Sequence, residues 1–178
     1  MKRSSGLIPC VGCRAMVPDI EGQNFRYPGA SVPGCWEVFG KILAKEFGEF
    51  RYPPVHRLSV DAYAAQHPGL ETKQTIQSVN VHLIALCLSI ERKYPANKVT
   101  DIMRGAVHVF EKEFFWLDPP ENRGKITALD VEKAADLQDH VERVQLWALS
   151  VWGAWSFHHD TIRAYCDRLE QLRSMPRT

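Results

Sequence analysis

The sequence predicts an all-α, mainly helical fold: a compact bundle of about six to seven helices with a loop-rich N-terminal head. Three observations predict it. Residues 7–34 carry Pro9, Pro18, Pro28 and Pro33 with Gly12, Gly22, Gly29 and Gly34, a density no long helix survives. From Gly34 onward, apolar residues recur at the three-to-four residue spacing of buried helix faces. Proline and glycine then cut that periodic stretch into helix-length pieces. The expected organisation is one domain over 1–178, with a cysteine head at 7–35, a helical body at 36–173 and a flexible tail at 174–178.

The head has room for one short hairpin. Trp36, Phe39, Ile42, Leu43 and Phe47 then mark a first helix over about 36–48, which Gly48 ends. Tyr52-Pro53-Pro54 breaks the chain, and Val55, Leu58, Ala62 and Ala65 mark a second helix stopped by Pro68-Gly69. A long apolar helix over about 72–92, through Ile76, Val79, Leu83, Leu86 and Ile90, is the expected spine. Thr100 and Asp101 read as the start of a fourth helix through Ile102, Ala106, Val109 and Phe110. Thr127-Ala-Leu-Asp130 has the form of a capping box ahead of a short helix. Asp136 is placed to cap a longer helix with Val141, Val144, Ala148, Val151, Trp152 and Trp155 inward, and Ser156 to cap the last, through Ile162, Cys166, Leu169 and Leu172.

The 22 basic and 21 acidic residues nearly cancel, so no strong field draws in nucleic acid or an anionic membrane. Lys2 and Arg3 do not open a secretory leader, because Pro9 stops the apolar Leu7-Ile8 at once, and no run approaches the ~20 apolar residues of a membrane helix. A cytoplasmic protein is expected, with a protein partner or a small ligand and no nucleic acid or membrane. Five cysteines in a reducing compartment point to metal or free thiols rather than disulfides. Cys87 and Cys166 fall on apolar helical positions and read as core.

Cys10-Val11-Gly12-Cys13 admits a redox, a metal-binding and a plain-thiol reading. A redox pair needs its first cysteine at a helix N-terminus, whereas Pro9 precedes this pair and Met16-Val17-Pro18 follows without helical period. A zinc knuckle needs a tight turn, which Gly12 suits, and further ligands from elsewhere. Cys35, at the start of the first helix, is the natural third. His56 and His67 share a helix face but lie about 16 Å apart along its axis, so both cannot hold one ion. The short connection at 49–54 predicts antiparallel packing of the first two helices, which sets Cys35 beside His67 and far from His56. The expected site is therefore a closed Cys3His zinc centre of Cys10, Cys13, Cys35 and His67, with a structural role.

Several segments together resemble an uncharacterised bacterial family, a domain of unknown function. They are the Cys-x-x-Cys head, Pro33-Gly34-Cys35-Trp36, the long run Val55-His56-Arg57-Leu58-Ser59-Val60-Asp61-Ala62-Tyr63-Ala64-Ala65-Gln66-His67-Pro68-Gly69, Ile76-Gln77-Ser78-Val79 with His82, Trp116 to Pro120, and Trp152 to His159. The resemblance covers nearly the whole chain and implies a bacterial origin and a shared fold, but no activity. The family pattern places proline after the first cysteine and glycine after the second, where this chain has Val11 and Arg14.

One further constellation carries chemistry. His56 is a general-base candidate, Asp61 its orienting carboxylate or a metal ligand, and Tyr63 a proton donor, with His82 in the same neighbourhood. This supports an alternative reading as a metal-dependent or acid/base hydrolytic enzyme. The competing reading has these side chains capping helices and bridging neighbours. His82 reads as a singly bonded helix histidine, with a contact to His158 or His159 across the bundle as the metal-enzyme alternative. Trp147, Trp152, Trp155 and Phe157 form a candidate aromatic pocket. A thiol redox or zinc-linked sensor is the third alternative.

Overall fold

The computed structural model describes residues 3–22, 24, 27, 29–48, 51, 53–110 and 112–174. Two antiparallel strands open the chain, β1 (Arg3–Pro9) and β2 (Met16–Ile20), with Pro9 opposite Met16. The head thus contains the expected hairpin. Eight α-helices follow among the described residues: α1 (Pro33–Gly48), α2 (Pro53–Gln66), α3 (Lys73–Ile90), α4 (Ala96–Met103), α5 (Ala106–Phe110), α6 (Ala128–Glu132), α7 (Leu137–Ala154) and α8 (His159–Ser174). The mainly helical fold class is as the periodicity predicts. Met175 to Thr178 of the expected flexible tail lie outside the described residues.

The helices sit where the apolar stripes require. α1 buries Cys35, Val38, Phe39 and Ile42, and α3 buries a continuous run from Leu83 to Leu88 as well as Val79. The centre is shared: α2 packs against α1, α3, α4 and α7, while α3 packs against α2, α7 and α8. α1 begins three residues before the expected Trp36, because Pro33 suits a first helical position and Gly34 lies against β2. A Cβ on Gly34 would meet the Pro18 carbonyl oxygen at 1.9 Å, so only glycine lets helix and strand approach this closely.

Two of the expected caps form: Thr127 and Asp130 make a capping box at α6, and Asp136 accepts from the Asp139 amide at α7. Thr72 and Thr75 add a capping box at α3. Two expectations are corrected. Thr100 and Asp101 do not start a helix: α4 begins after Pro95, the Thr100 hydroxyl bonds back to the Ala96 carbonyl at 2.9 Å, and Gly105 at φ +90° turns the chain between α4 and α5. Ser156 does not cap α8 either, because a 3₁₀ turn over Ser156–His158 leads directly into it. Cys87 and Cys166 are buried, as expected. No described helix is long and apolar enough to cross a membrane.

Candidate metal centre

Cys10 and Cys13 stand in the loop that joins β1 to β2. The loop closes through Cys10 N–H to the Ala15 carbonyl and Arg14 N–H to the Cys10 carbonyl, both 2.9 Å. Cys35 lies in the first turn of α1, and His67 directly follows α2. All four are buried, and their ligand atoms lie within 4.8 Å of one another. The antiparallel arrangement holds at both ends, since Cys35 meets His67 at the start of α1 while Glu46 meets His56 near its end.

The separations carry chemical information. Cys10 Sγ lies 3.6 Å and Cys35 Sγ 3.5 Å from His67 Nε2, and Cys13 Sγ lies 3.8 Å from Cys35 Sγ. A tetrahedral zinc with bonds of about 2.3 Å to sulfur and 2.0–2.1 Å to nitrogen has edges of about 3.8 Å (S to S) and about 3.6 Å (S to N). Three of the separations thus have the length of such edges, and all lie within 4.8 Å, so the four side chains could hold a metal ion such as zinc.

The histidine is aimed by the helix it follows. His67 Nδ1–H donates at 2.7 Å to the Tyr63 carbonyl, one of the last of α2. That bond orients the ring and turns Nε2 toward the sulfurs. Gly12 is needed for a different reason from turn geometry: a Cβ there would stand 2.2 Å from His67 Cδ2 and 2.5 Å from the Ala30 carbonyl. The electrostatics follow from crowding. Hydrogen bonds with Cys13 and Cys35 hold the Cys10 thiol far below its ordinary range, and the same bond with Cys10 drives Cys13 up. Burial opposes charge on His67, but the bonds to Cys10 and Cys35 outweigh it and push the imidazole up to about 9. A metal ion would replace those competing protons.

Tyr63 belongs to this centre and not to a cleft with His56, Asp61 and His82. Its hydroxyl lies 2.6 Å from Ser31 Oγ and donates to Cys35 Sγ at 3.7 Å, while its ring stacks between Phe39 at 3.9 Å and His67 at 4.1 Å. Burial first, and then the charge of Cys35, raise its pKa, so it stays a donor. Gln66 ties the centre to the body: its amide nitrogen donates to the Arg123 and Ile126 carbonyls, and its oxygen accepts from Trp147 Nε1 at 3.0 Å. Arg123 in turn donates to the Gly12 carbonyl at 3.2 Å. Trp155 Nε1 donates to the Ala65 carbonyl, so two of the expected pocket aromatics instead satisfy polar groups at the end of α2. Phe157 is 93% exposed.

At the other end of α2 lies a second polar group. Asp61 Oδ1 accepts from His82 Nδ1 at 2.7 Å and Oδ2 from Arg57 Nε at 3.1 Å. Glu46 Oε2 accepts from His56 Nδ1 at 2.8 Å, and Oε1 from Ser59 at 2.5 Å and His140 Nε2 at 3.0 Å. His82 does not meet His158 or His159: the former bonds the Asp118 carbonyl, and the latter stacks on Trp152 and bonds its carbonyl. Glu46 and His140 are the residues that sequence reading missed. The available signal was an ionisable side chain on an apolar stripe, Glu46 one turn after Ile42 and His140 one turn before Val144.

No curated protein and no solved structure matches the chain. Residues 8–156 match the model of a family of unknown function (DUF5946), which spans the hairpin loop, Cys35, His67 and the helices through α7. The chain belongs to that family.

Proposed function

We propose that the chain is a zinc-stabilised helical binding module, a single domain in which Cys10, Cys13, Cys35 and His67 hold one zinc ion and the helical body offers a surface to a protein partner or small ligand. The observation that carries the metal is the match between the 3.5, 3.6 and 3.8 Å separations and the edges of a zinc tetrahedron. Four protein ligands leave no coordination position for a substrate, so the ion acts structurally, clamping the hairpin onto the ends of α1 and α2. Cysteines without disulfide partners suit a reducing, cytoplasmic setting.

The acid/base alternative keeps one specific support, the Asp61 and His82 pair at 2.7 Å, with His56 nearby and Tyr63 removed from the set. A thiol sensor is disfavoured by burial of all three head cysteines. The test is elemental analysis of protein purified without added metal. One zinc per chain is expected, falling several-fold with Cys35→Ser; a fully folded, metal-free wild-type preparation would overturn the proposal.

A further inference from the structure

We infer that the cleft beside the first half of α2 binds a small phosphorylated molecule, with its phosphate held by Arg57, His56 and His82. This deepens the binding-module reading and rests on it. The cleft has a volume of about 420 Å³ and is walled by those three residues and Asp61 on one side of the chain's path and by Asn97 and Thr100 of α4 on another. That volume falls among those of small-molecule sites, about 300–1,000 Å³.

The groups around it are sorted by charge. The two carboxylates, Glu46 and Asp61, are only 0% and 1% exposed in their side chains, and the bonds given above occupy both oxygens of each. The nitrogen-bearing groups keep contact with solvent: His56 is 26%, Arg57 24% and His82 20% exposed in the side chain. Each histidine gives its Nδ1–H to a buried carboxylate, which fixes the ring and leaves Nε2 without a hydrogen-bond partner among the described residues. Arg57 spends only its Nε on Asp61, leaving both terminal amino groups for a ligand.

What the cleft offers is therefore one guanidinium and two carboxylate-backed imidazoles, which donate from Nε2 to an anion when each takes up a second proton together with it. Three such donors match the three non-ester oxygens of a phosphate monoester better than the two oxygens of a carboxylate. Val60 and Ala96 leave an apolar wall for the organic part. A divalent cation fits less well: among the described residues the head group of Cys10, Cys13, Cys35 and His67 is the one place where three or more such ligand atoms converge.

The experiment uses the zinc-loaded full chain with ¹⁵N-labelled histidine, titrated with glycerol phosphate, inorganic phosphate and acetate while the imidazole nitrogens are followed by NMR. Saturable shifts at Nε2 of His56 and His82 are expected, with glycerol phosphate binding at least tenfold more tightly than acetate and more tightly than inorganic phosphate. Arg57→Gln should weaken binding at least tenfold, and His82→Gln, read the same way, keeps the test decisive if the first variant folds poorly. No saturable shift, equal binding of acetate, equal binding of inorganic phosphate, or unchanged affinity in both variants would overturn the assignment. Zinc content, measured on the same samples, reads the metal centre separately: its loss from the wild type would overturn the zinc reading whatever the imidazoles show.

Discussion

The two ends of α2 use the same residue types to opposite effect. At its C-terminal end, His67 is buried with three thiols and a tyrosine, and its Nδ1 is bonded to a backbone carbonyl. At its N-terminal half, His56 and the facing His82 are partly exposed, and their Nδ1 atoms are bonded to buried carboxylates. A neutral carbonyl behind an imidazole and sulfur in front suit a soft cation. A carboxylate behind and solvent in front suit an imidazole that meets a ligand. A carbonyl and a carboxylate both serve behind metal-ligating histidines, so what separates the two ends is what lies in front of the ring: thiols at His67, solvent at His56 and His82.

The sharpest way to break this contrast is to remove the metal. Zinc centres of this kind hold on the order of 10 kcal/mol of coupled folding and binding energy. Chelation is therefore expected to abolish amide-exchange protection in β1, β2 and the loop between them, while Leu83 to Leu88 of α3 stay protected. Equal loss of protection throughout would mean that the head and body do not separate energetically.

Acid should act in the same direction for a reason that can be worked out. In the metal-free protein Cys10 is already a thiolate, whereas Cys13 is driven up by its bond with Cys10, and His67, raised to about 9, is charged at neutral pH. Zinc must displace at least the Cys13 and His67 protons. Its affinity should fall about a hundredfold per pH unit lowered near neutrality, since each displaced proton contributes about tenfold. In the metal-free fold the two shifts oppose each other only between about pH 6.5 and 9, where the extra proton on folded His67 offsets the one missing from Cys10 and stability should change little; below about 6.5 only the Cys10 effect remains, and stability should fall with acid. Chelator competition one pH unit apart, beside urea titrations of metal-free protein, separates the two effects.

The other end is broken by Glu46→Ala. This leaves His56, Ser59 and the buried His140 without their shared carboxylate. Leaving a buried hydrogen-bonding group without its partner costs about 1–3 kcal/mol. A drop of that size in urea unfolding is expected, with zinc content unchanged, and a loss of zinc would show that the two ends of α2 are coupled.

The grouping of the three cysteines with His67 was legible in the sequence and the carboxylate end was not, for a physical reason. Cysteine and histidine announce their ligand atoms, and the rigid rise of a helix is enough to choose His67 over His56. The sequence groups Tyr63 with His56, two turns away on the same face, but it lies one turn before His67 and meets Cys35 and His67 instead. Glu46 and His140 are 94 residues apart, and their meeting depends on how α7 and α1 come to lie against α2, which no local spacing encodes. Thr100 misled for a related reason. A threonine hydroxyl that caps a helix and one that bonds back within a helix look alike in sequence, and here the break was carried by Gly105.

The smallest expected effect concerns Arg14. Its φ of +62° is left-handed, which costs a residue with a side chain about 1 kcal/mol relative to glycine. Its charge also works against Arg123, which is half-buried and holds the Gly12 carbonyl. Arg14→Gly relieves both burdens, offset in part by the greater freedom glycine has in the unfolded chain. Arg14→Ala relieves only the charge. A stabilisation of about 0.5–1 kcal/mol is expected for glycine over alanine in thermal or urea unfolding of the zinc-loaded protein. Were the two variants equally stable, the knuckle's cost would lie in the charge beside Arg123, and the left-handed turn would be free.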